Sequence, residues 1–99
     1  MMPAYLLIEA RVSDPLAFES YERMAAAAIT QYGGRYLARG GRIDVLEGKW
    51  TKPEHLVIVE FDSARQAKKF YNSAEYGAAR AAREDAAEIN IMVVDGLPS

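Results

Sequence analysis

Two acidic residues, Glu9 and Glu60, interrupt strand-like apolar segments of the sequence, where a carboxylate is uncommon. The alternation of side chains puts both on one face of the predicted sheet, toward the ends of the two strands that we expect in its middle. Two carboxylates at neighbouring-strand distance raise the pKa of one of them, which suits a general acid or base. The alternative is structural: each carboxylate forms an ion pair, with Arg11, Arg39 or Arg42 as candidate partners.

A second group of polar residues surrounds a predicted helix break at residues 70–76, FYNSAEY. A break that carries two tyrosines, an amide and a hydroxyl needs a reason, either capping or a pocket. Capping by Ser73 accounts for the serine and leaves Tyr71, Asn72 and Tyr76 as candidate ligand contacts. Alternatively, the tyrosines fill the core and keep their hydroxyls in contact with water.

The candidate site residues come from these two groups. Glu60 is the preferred acid or base, assisted by Arg39 or Tyr71. Arg80 and Arg83 follow the helix break at helical spacing, either as a solvated face or as an anion clamp. The predicted catalytic residues are Glu60, Arg39 and Tyr71, and the predicted ligand contacts are Tyr76, Asn72, Ser73, Glu9 and Tyr5.

The sequence excludes several kinds of chemistry. Cysteine is absent and His55 is the single histidine, so thiolate nucleophiles, disulfides and multi-histidine metal sites within one chain are ruled out. Gly40-Gly41 precedes a strand rather than opening a helix, so it is not a phosphate-binding loop. His55 follows Pro53-Glu54 at a strand start, where we expect it to be exposed and without a catalytic role. We expect no metal and no cofactor.

The composition is that of one folded domain of 99 residues, with 51% hydrophobic and 26% charged residues. A formal net charge of −2 argues against nucleic acid as a partner, because such binding calls for clustered basic residues. No apolar run reaches the roughly 18 residues that a membrane span requires, and the start of the chain lacks a basic segment followed by an apolar one. We therefore expect a cytoplasmic protein without membrane or nucleic-acid partners.

The spacing of apolar residues predicts strands and helices along the whole chain. Asp14 before Pro15 is a strong helix start, Gly33-Gly34 marks a helix end, and Ser63 is a further cap. Gly40-Gly41 predicts a bulge or bend in the second strand. The predicted elements are strand 4–12, helix 15–32, strand 35–38 resuming at 43–47, strand 55–61, helices 64–71 and 74–85, and strand 87–94.

This β-α-β-β-α-β order predicts a ferredoxin-like sandwich of the α+β class, a four-stranded antiparallel sheet with two helices on one face. Two right-handed crossovers place the first and third strands in the middle, where we expect these two to run parallel. The face away from the helices is too apolar to remain in water, so we expect a second copy to cover it, sheet to sheet, in a homodimer. Its apolar residues are Tyr5, Leu7, Leu56, Ile58, Met92 and Val94.

Four segments in chain order carry a family likeness: YLARGG at 36–41, VLEG at 45–48, LVIVEF at 56–61 and FYNSAEY at 70–76. They resemble the family catalogued as domain of unknown function 1330. Ala74 stands where that family usually has proline, and His55 where its strand often opens with arginine. The resemblance implies a dimeric α/β barrel, hence a homodimer, and implies no substrate because the family has no common activity. The motif positions that it implies are Arg39, Gly40, Gly41, Glu47, Gly48, Glu60, Tyr71, Ser73 and Tyr76.

Two functional hypotheses remain open at this stage. In the first, a small homodimeric protein binds a small, partly apolar organic molecule between sheet and helices and acts on it as a cofactor-independent enzyme. A shared pocket lined by Glu60, Arg39 and Tyr71 would favour it. In the second, the protein is a non-catalytic dimerisation module, and a barrel interior filled by side chains such as Leu56 and Ile58 would favour that.

Overall fold

The computed structural model describes residues 2–98 and forms a sheet covered on one face by helices. No helix in this part of the chain combines the length and the apolarity that a membrane crossing needs. The elements are β1 (Ala4–Val12), α1 (Pro15–Gln31), β2 (Arg35–Arg39), β3 (His55–Phe61), α2 (Ala64–Tyr71), α3 (Ala74–Ala82) and β4 (Ala87–Asp95).

The helix starts are those that the sequence predicts. The side chain of Asp14 accepts a hydrogen bond from the backbone N–H of Ala17 at 3.3 Å, and Pro15 opens α1. Ser63 caps α2 in the same way through the N–H of Gln66 at 3.0 Å. These side-chain oxygens satisfy backbone donors that have no partner within the helix.

The sheet has the order β2-β3-β1-β4, and every neighbouring pair is antiparallel. A ferredoxin-like four-stranded sheet is therefore confirmed, but the expectation that β1 and β3 run parallel is wrong. The strand that follows a helical crossover runs parallel to the strand that precedes it. In this sheet one other strand lies between those two strands. The parallel relation therefore holds between β1 and β2, and between β3 and β4, and direct neighbours are antiparallel.

The second strand does not resume at 43–47, contrary to the sequence-based prediction. β2 ends at Arg39, and residues 40–54 form an irregular connection to β3. Gly40 adopts the left-handed φ of 69°, which favours glycine, and its N–H donates to the carbonyl of Leu56 at 2.9 Å. The predicted bulge is present but lies earlier, between Tyr36 and Ala38. The last helix likewise ends at Ala82 rather than near 85.

The two faces of the sheet divide as the alternation predicts. The face under the helices is buried, with Leu6, Ile8, Val57 and Val59 in the core beside side chains of α1, α2 and α3. We call the opposite face the outer face; it consists of Tyr5, Leu7, Glu9, Leu56, Ile58, Glu60, Met92 and Val94. Side chains here are half-buried in the two central strands and exposed in the edge strand β4.

Candidate functional site

Glu60 lies on the outer face, as predicted, but its partner is Arg35. Arg35 lies directly opposite Glu60 in the β2–β3 register, and its Nε donates to Glu60 Oε1 at 3.2 Å. Its Nη2 also donates to Asp62 Oδ1 at 3.1 Å. Tyr5 and Leu97 border the same open hollow in the surface. The carboxylate of Glu60 is therefore paired, by an arginine that was not among the three predicted partners.

Glu9 and Glu60 do not form a carboxylate pair. Because β1 and β3 are antiparallel, Glu60 lies opposite Tyr5, and Glu9 lies opposite Leu56. Glu9 is four positions along β1 from Tyr5, which corresponds to about 13 Å along the strand. Glu9 instead accepts a hydrogen bond from Asn90 Nδ2 at 2.9 Å.

Arg39 lies on the helix side of the sheet, so the sheet separates it from Glu60. Its register partner is the buried Val57, and its guanidinium carbon lies 4.7 Å from the centre of the Tyr36 ring. Burial raises the pKa of the Tyr36 hydroxyl, an effect that the charge of Arg39 opposes. Arg39 therefore belongs to the edge of the core next to α1.

His55 is more enclosed than the sequence led us to expect, with 23% of its side chain exposed. Its ring meets that of Phe18 edge-on, with centroids 5.5 Å apart, and Nε2 lies 3.1 Å from Glu22 Oε2, although poorly aligned for a hydrogen bond. Gly40 also packs closely against the ring, since a Cβ at this position would lie 2.6 Å from His55 Cε1. The cavity beside this pair measures about 20 Å³, too small for an organic ligand.

Three of the predicted ligand contacts have structural roles. Tyr76 is fully buried, and its hydroxyl lies 2.7 Å from that of Tyr21; burial, then the neighbouring Tyr76, raises the pKa of Tyr21. Ser73 caps α3 by accepting from the N–H of Tyr76 at 3.1 Å and donates to the carbonyl of Phe70 at 2.6 Å. Asn72 ends α2 and is exposed. Core packing therefore accounts for Tyr76 and capping for Ser73, while Asn72 occupies the C-cap of α2 through its backbone.

Tyr71 is half-buried and carries Arg80 on its ring. The guanidinium carbon of Arg80 lies 4.6 Å from the ring centre, and Arg80 Nη1 donates to the Tyr71 hydroxyl at 3.0 Å. Arg83 lies near Tyr21 in a similar way, 5.2 Å from the centre of that ring. The two arginines are half-buried against aromatic rings, so the expectation of a solvated face is wrong for them.

Tyr71 and Arg83 border a pocket of about 270 Å³ between the sheet and α2, which we call the helix-side pocket. Its floor is aliphatic and comes from β1 and β4, and its roof comes from α2 and from the residue after α3. The full lining is Leu6, Ala67, Lys68, Tyr71, Arg83, Ile89, Ile91, Met92 and Val93. Of the three predicted catalytic residues, Tyr71 alone reaches this pocket.

A second, larger space lies on the outer face under the 40–54 connection; we call this space of about 820 Å³ the outer groove. Its floor includes Leu7, Leu56 and Ile58, with the hydrogen-bonded Glu9 and Asn90 among them. Trp50 lines it as well, yet 72% of Trp50 is exposed, and Leu46 beside it is 94% exposed. The groove is thus apolar and incompletely covered by its own chain.

Sequence reasoning missed Arg35, the Glu22–His55 pair and Lys68. The pairing of Arg35 with Glu60 follows from the β2–β3 register. The long connection and the bulge prevent that register from being predicted from the sequence. Glu22 follows Phe18 by one helical turn, so helical spacing could have indicated that it lies near the core-facing side of α1. Within residues 2–98, no group of three histidine, aspartate or glutamate side chains is arranged to hold a metal ion.

Comparison with known proteins gives a family and a fold. The profile of a family described as "Domain of unknown function (DUF1330)" matches residues 3–97. Among curated proteins, no sequence matches this chain. A protein of unknown function from Rhodopseudomonas palustris is similar in structure, with a TM-score of 0.74 and 20% identity over 98% of this chain and 84% of that one.

Two further solved structures are similar at lower identity. A protein from Bacteroides fragilis, described as dimeric and of ferredoxin-like fold, has a TM-score of 0.63 and 17% identity over 95% of this chain and 93% of its own. SnoaB from Streptomyces nogalater, described as a cofactor-independent oxygenase, has a TM-score of 0.61 and 10% identity over 99% of this chain and 94% of its own. At such identities the likeness establishes the ferredoxin-like fold alone.

Proposed function

Since the chain belongs to the family described as a domain of unknown function, DUF1330, we propose a function from its own pockets: it is a homodimer that binds a small, partly apolar organic molecule in the helix-side pocket. The lining carries this proposal, because strand aliphatics form one wall while Lys68, Tyr71 and Arg83 provide polar groups on the other. An apolar wall with a few convergent polar groups is typical of small-molecule sites. The volume of about 270 Å³ favours a ligand of modest size.

The outer face supports the homodimer. Met92 is 64% exposed and Val94 is 50% exposed, next to the half-buried side chains of the central strands. Trp50 and Leu46 extend this apolar surface through the outer groove. A contiguous apolar surface of this kind marks an interaction site, and a second copy with the same surface would cover it.

Tyr71 is one group in the pocket that can take part in proton transfer. Its hydroxyl oxygen accepts from Arg80, so its own proton can be donated to a ligand oxygen. A cofactor-independent reaction would use this hydroxyl together with the cationic groups beside it. The likeness in fold to SnoaB, described as a cofactor-independent oxygenase, is compatible with such chemistry.

One observation favours a second candidate function, a non-catalytic dimerisation module. Glu60 lies on the outer face, Arg39 lies at the edge of the core near α1, and Tyr71 lies in the helix-side pocket. These three residues therefore do not form the shared catalytic pocket that would have favoured an enzyme. In this alternative the dimer itself is the function.

Native mass spectrometry of the protein purified from its own host distinguishes the two candidates. We expect a dimer that carries a small organic molecule, which is lost on denaturation. Ile89→Trp should fill the pocket and remove this molecule, whereas Leu16→Trp, at a site on α1 that is 78% exposed, should retain it. A dimer without any bound molecule would favour the non-catalytic module.

A further inference from the structure

The helix-side pocket carries charge of one sign. Lys68 and Arg83 line it, and no aspartate or glutamate does. The whole chain has a net charge of −2, so an excess of basic residues over the entire surface does not explain this local positive charge. A pocket with cationic walls attracts anions and disfavours cations.

The cations around the pocket also lack carboxylate partners. None of Lys68, Arg80 and Arg83 forms an ion pair with another residue in the range 2–98, whereas Arg23, Arg35 and Arg42 do. The Nε atoms of Arg80 and Arg83 are buried and have no hydrogen-bond partner in that range. Because these Nε atoms are closed off from solvent, an anion in the pocket would be received by the Lys68 ammonium and the outer end of the Arg83 guanidinium, the two cationic groups that line it.

We propose that the ligand of the helix-side pocket is a small organic carboxylate, with its charged group near Arg83 and Lys68 and its apolar body against Leu6, Ile89 and Ile91. Guanidinium groups match carboxylates in geometry as well as in charge. The aliphatic floor explains why the anion carries an apolar body, since a bare inorganic anion would gain nothing from that wall. This inference rests on the proposed function and adds the chemical class of the ligand.

Two matched probes test it: 3-phenylpropanoate and its neutral isostere 3-phenylpropanamide, titrated into the ¹⁵N-labelled protein and followed by NMR. Both should shift resonances of residues that line the pocket. The carboxylate should bind about ten-fold more tightly than the amide, since hydrogen bonds to charged groups are stronger than those between neutral ones. Raising the salt from about 20 to about 300 mM should weaken binding of the carboxylate and leave that of the amide unchanged.

Arg83→Gln should reduce the preference for the carboxylate over the amide, and combining it with Lys68→Gln should abolish that preference. Lys69→Gln is the control, because Lys69 is an exposed neighbour of Lys68 on α2 and does not line the pocket. If Arg83→Gln does not fold, the salt dependence in the unmodified protein decides the question. Equal, salt-independent binding of both probes would overturn the carboxylate inference and leave the proposed function intact. Shifts for neither probe would overturn both.

Discussion

Replacing Leu56 with lysine should separate the proposed homodimer into folded single copies. Leu56 lies in the middle of the outer face, half-buried within one copy. Glu9 lies directly opposite it on β1, so the new ammonium group finds a counter-charge inside its own chain. Leu56→Lys should therefore affect association much more than folding.

The expected effect follows from the area of leucine that remains to be buried. Complete burial of a leucine side chain contributes about 1.5–3 kcal/mol, and about half of that is already gained within one copy. Two copies of Leu56 in a symmetric interface would then contribute about 1.5–3 kcal/mol, so the substitution should raise the dimer dissociation constant about 10- to 150-fold. The cost of removing water from two lysines adds to this.

Sedimentation velocity over a concentration series measures the change. The control is Leu16→Lys, the same substitution at a site that is 78% exposed and lies on α1, in the helix layer opposite the outer face. Leu16→Lys should leave association unchanged. An unmodified protein that is monomeric at micromolar concentration, or equal effects of the two substitutions, would refute the placement of the interface on the outer face.

Three further substitutions test individual contacts. Ser73→Ala should lower the free energy of unfolding by about 1 kcal/mol, through loss of the α3 cap; an unchanged melting temperature would contradict this role. Tyr76→Phe should cost about 1–3 kcal/mol in chemical denaturation, because the buried Tyr21 hydroxyl loses its partner; a neutral result would indicate another partner. Glu60→Gln should cost at most about 1 kcal/mol, and less at high salt, because the ion pair with Arg35 is partly exposed; loss of ligand binding with unchanged stability would instead indicate a functional Glu60.

Much of the fold could be predicted from local patterns in the sequence. The caps at Asp14, Ser63 and Ser73 depend on side chains within one helical turn, and the division of the sheet into two faces depends on strict alternation. The outward direction of Glu60 followed from the same alternation and is confirmed. These features need no knowledge of which strands are neighbours.

The contacts that sequence reasoning missed or misassigned depend on strand direction and register. The prediction that β1 and β3 run parallel placed Glu9 near Glu60. In the antiparallel register the two carboxylates are far apart. The partner Arg35 is fixed by a pairing that a bulge and a fifteen-residue connection (residues 40–54) hide from local patterns. The enclosure of His55 depends on α1 crossing the sheet at Glu22, which nothing near His55 in the sequence indicates.

Binding in the helix-side pocket is tested most directly by a crystal structure of the protein purified from its own host. We predict electron density for a small organic molecule between α2 and β4, in contact with Tyr71 and Arg83, in each copy of a dimer joined through the outer face. A ligand in the outer groove beside Trp50 would contradict this assignment. So would a dimer in which side chains of the protein itself fill the helix-side pocket.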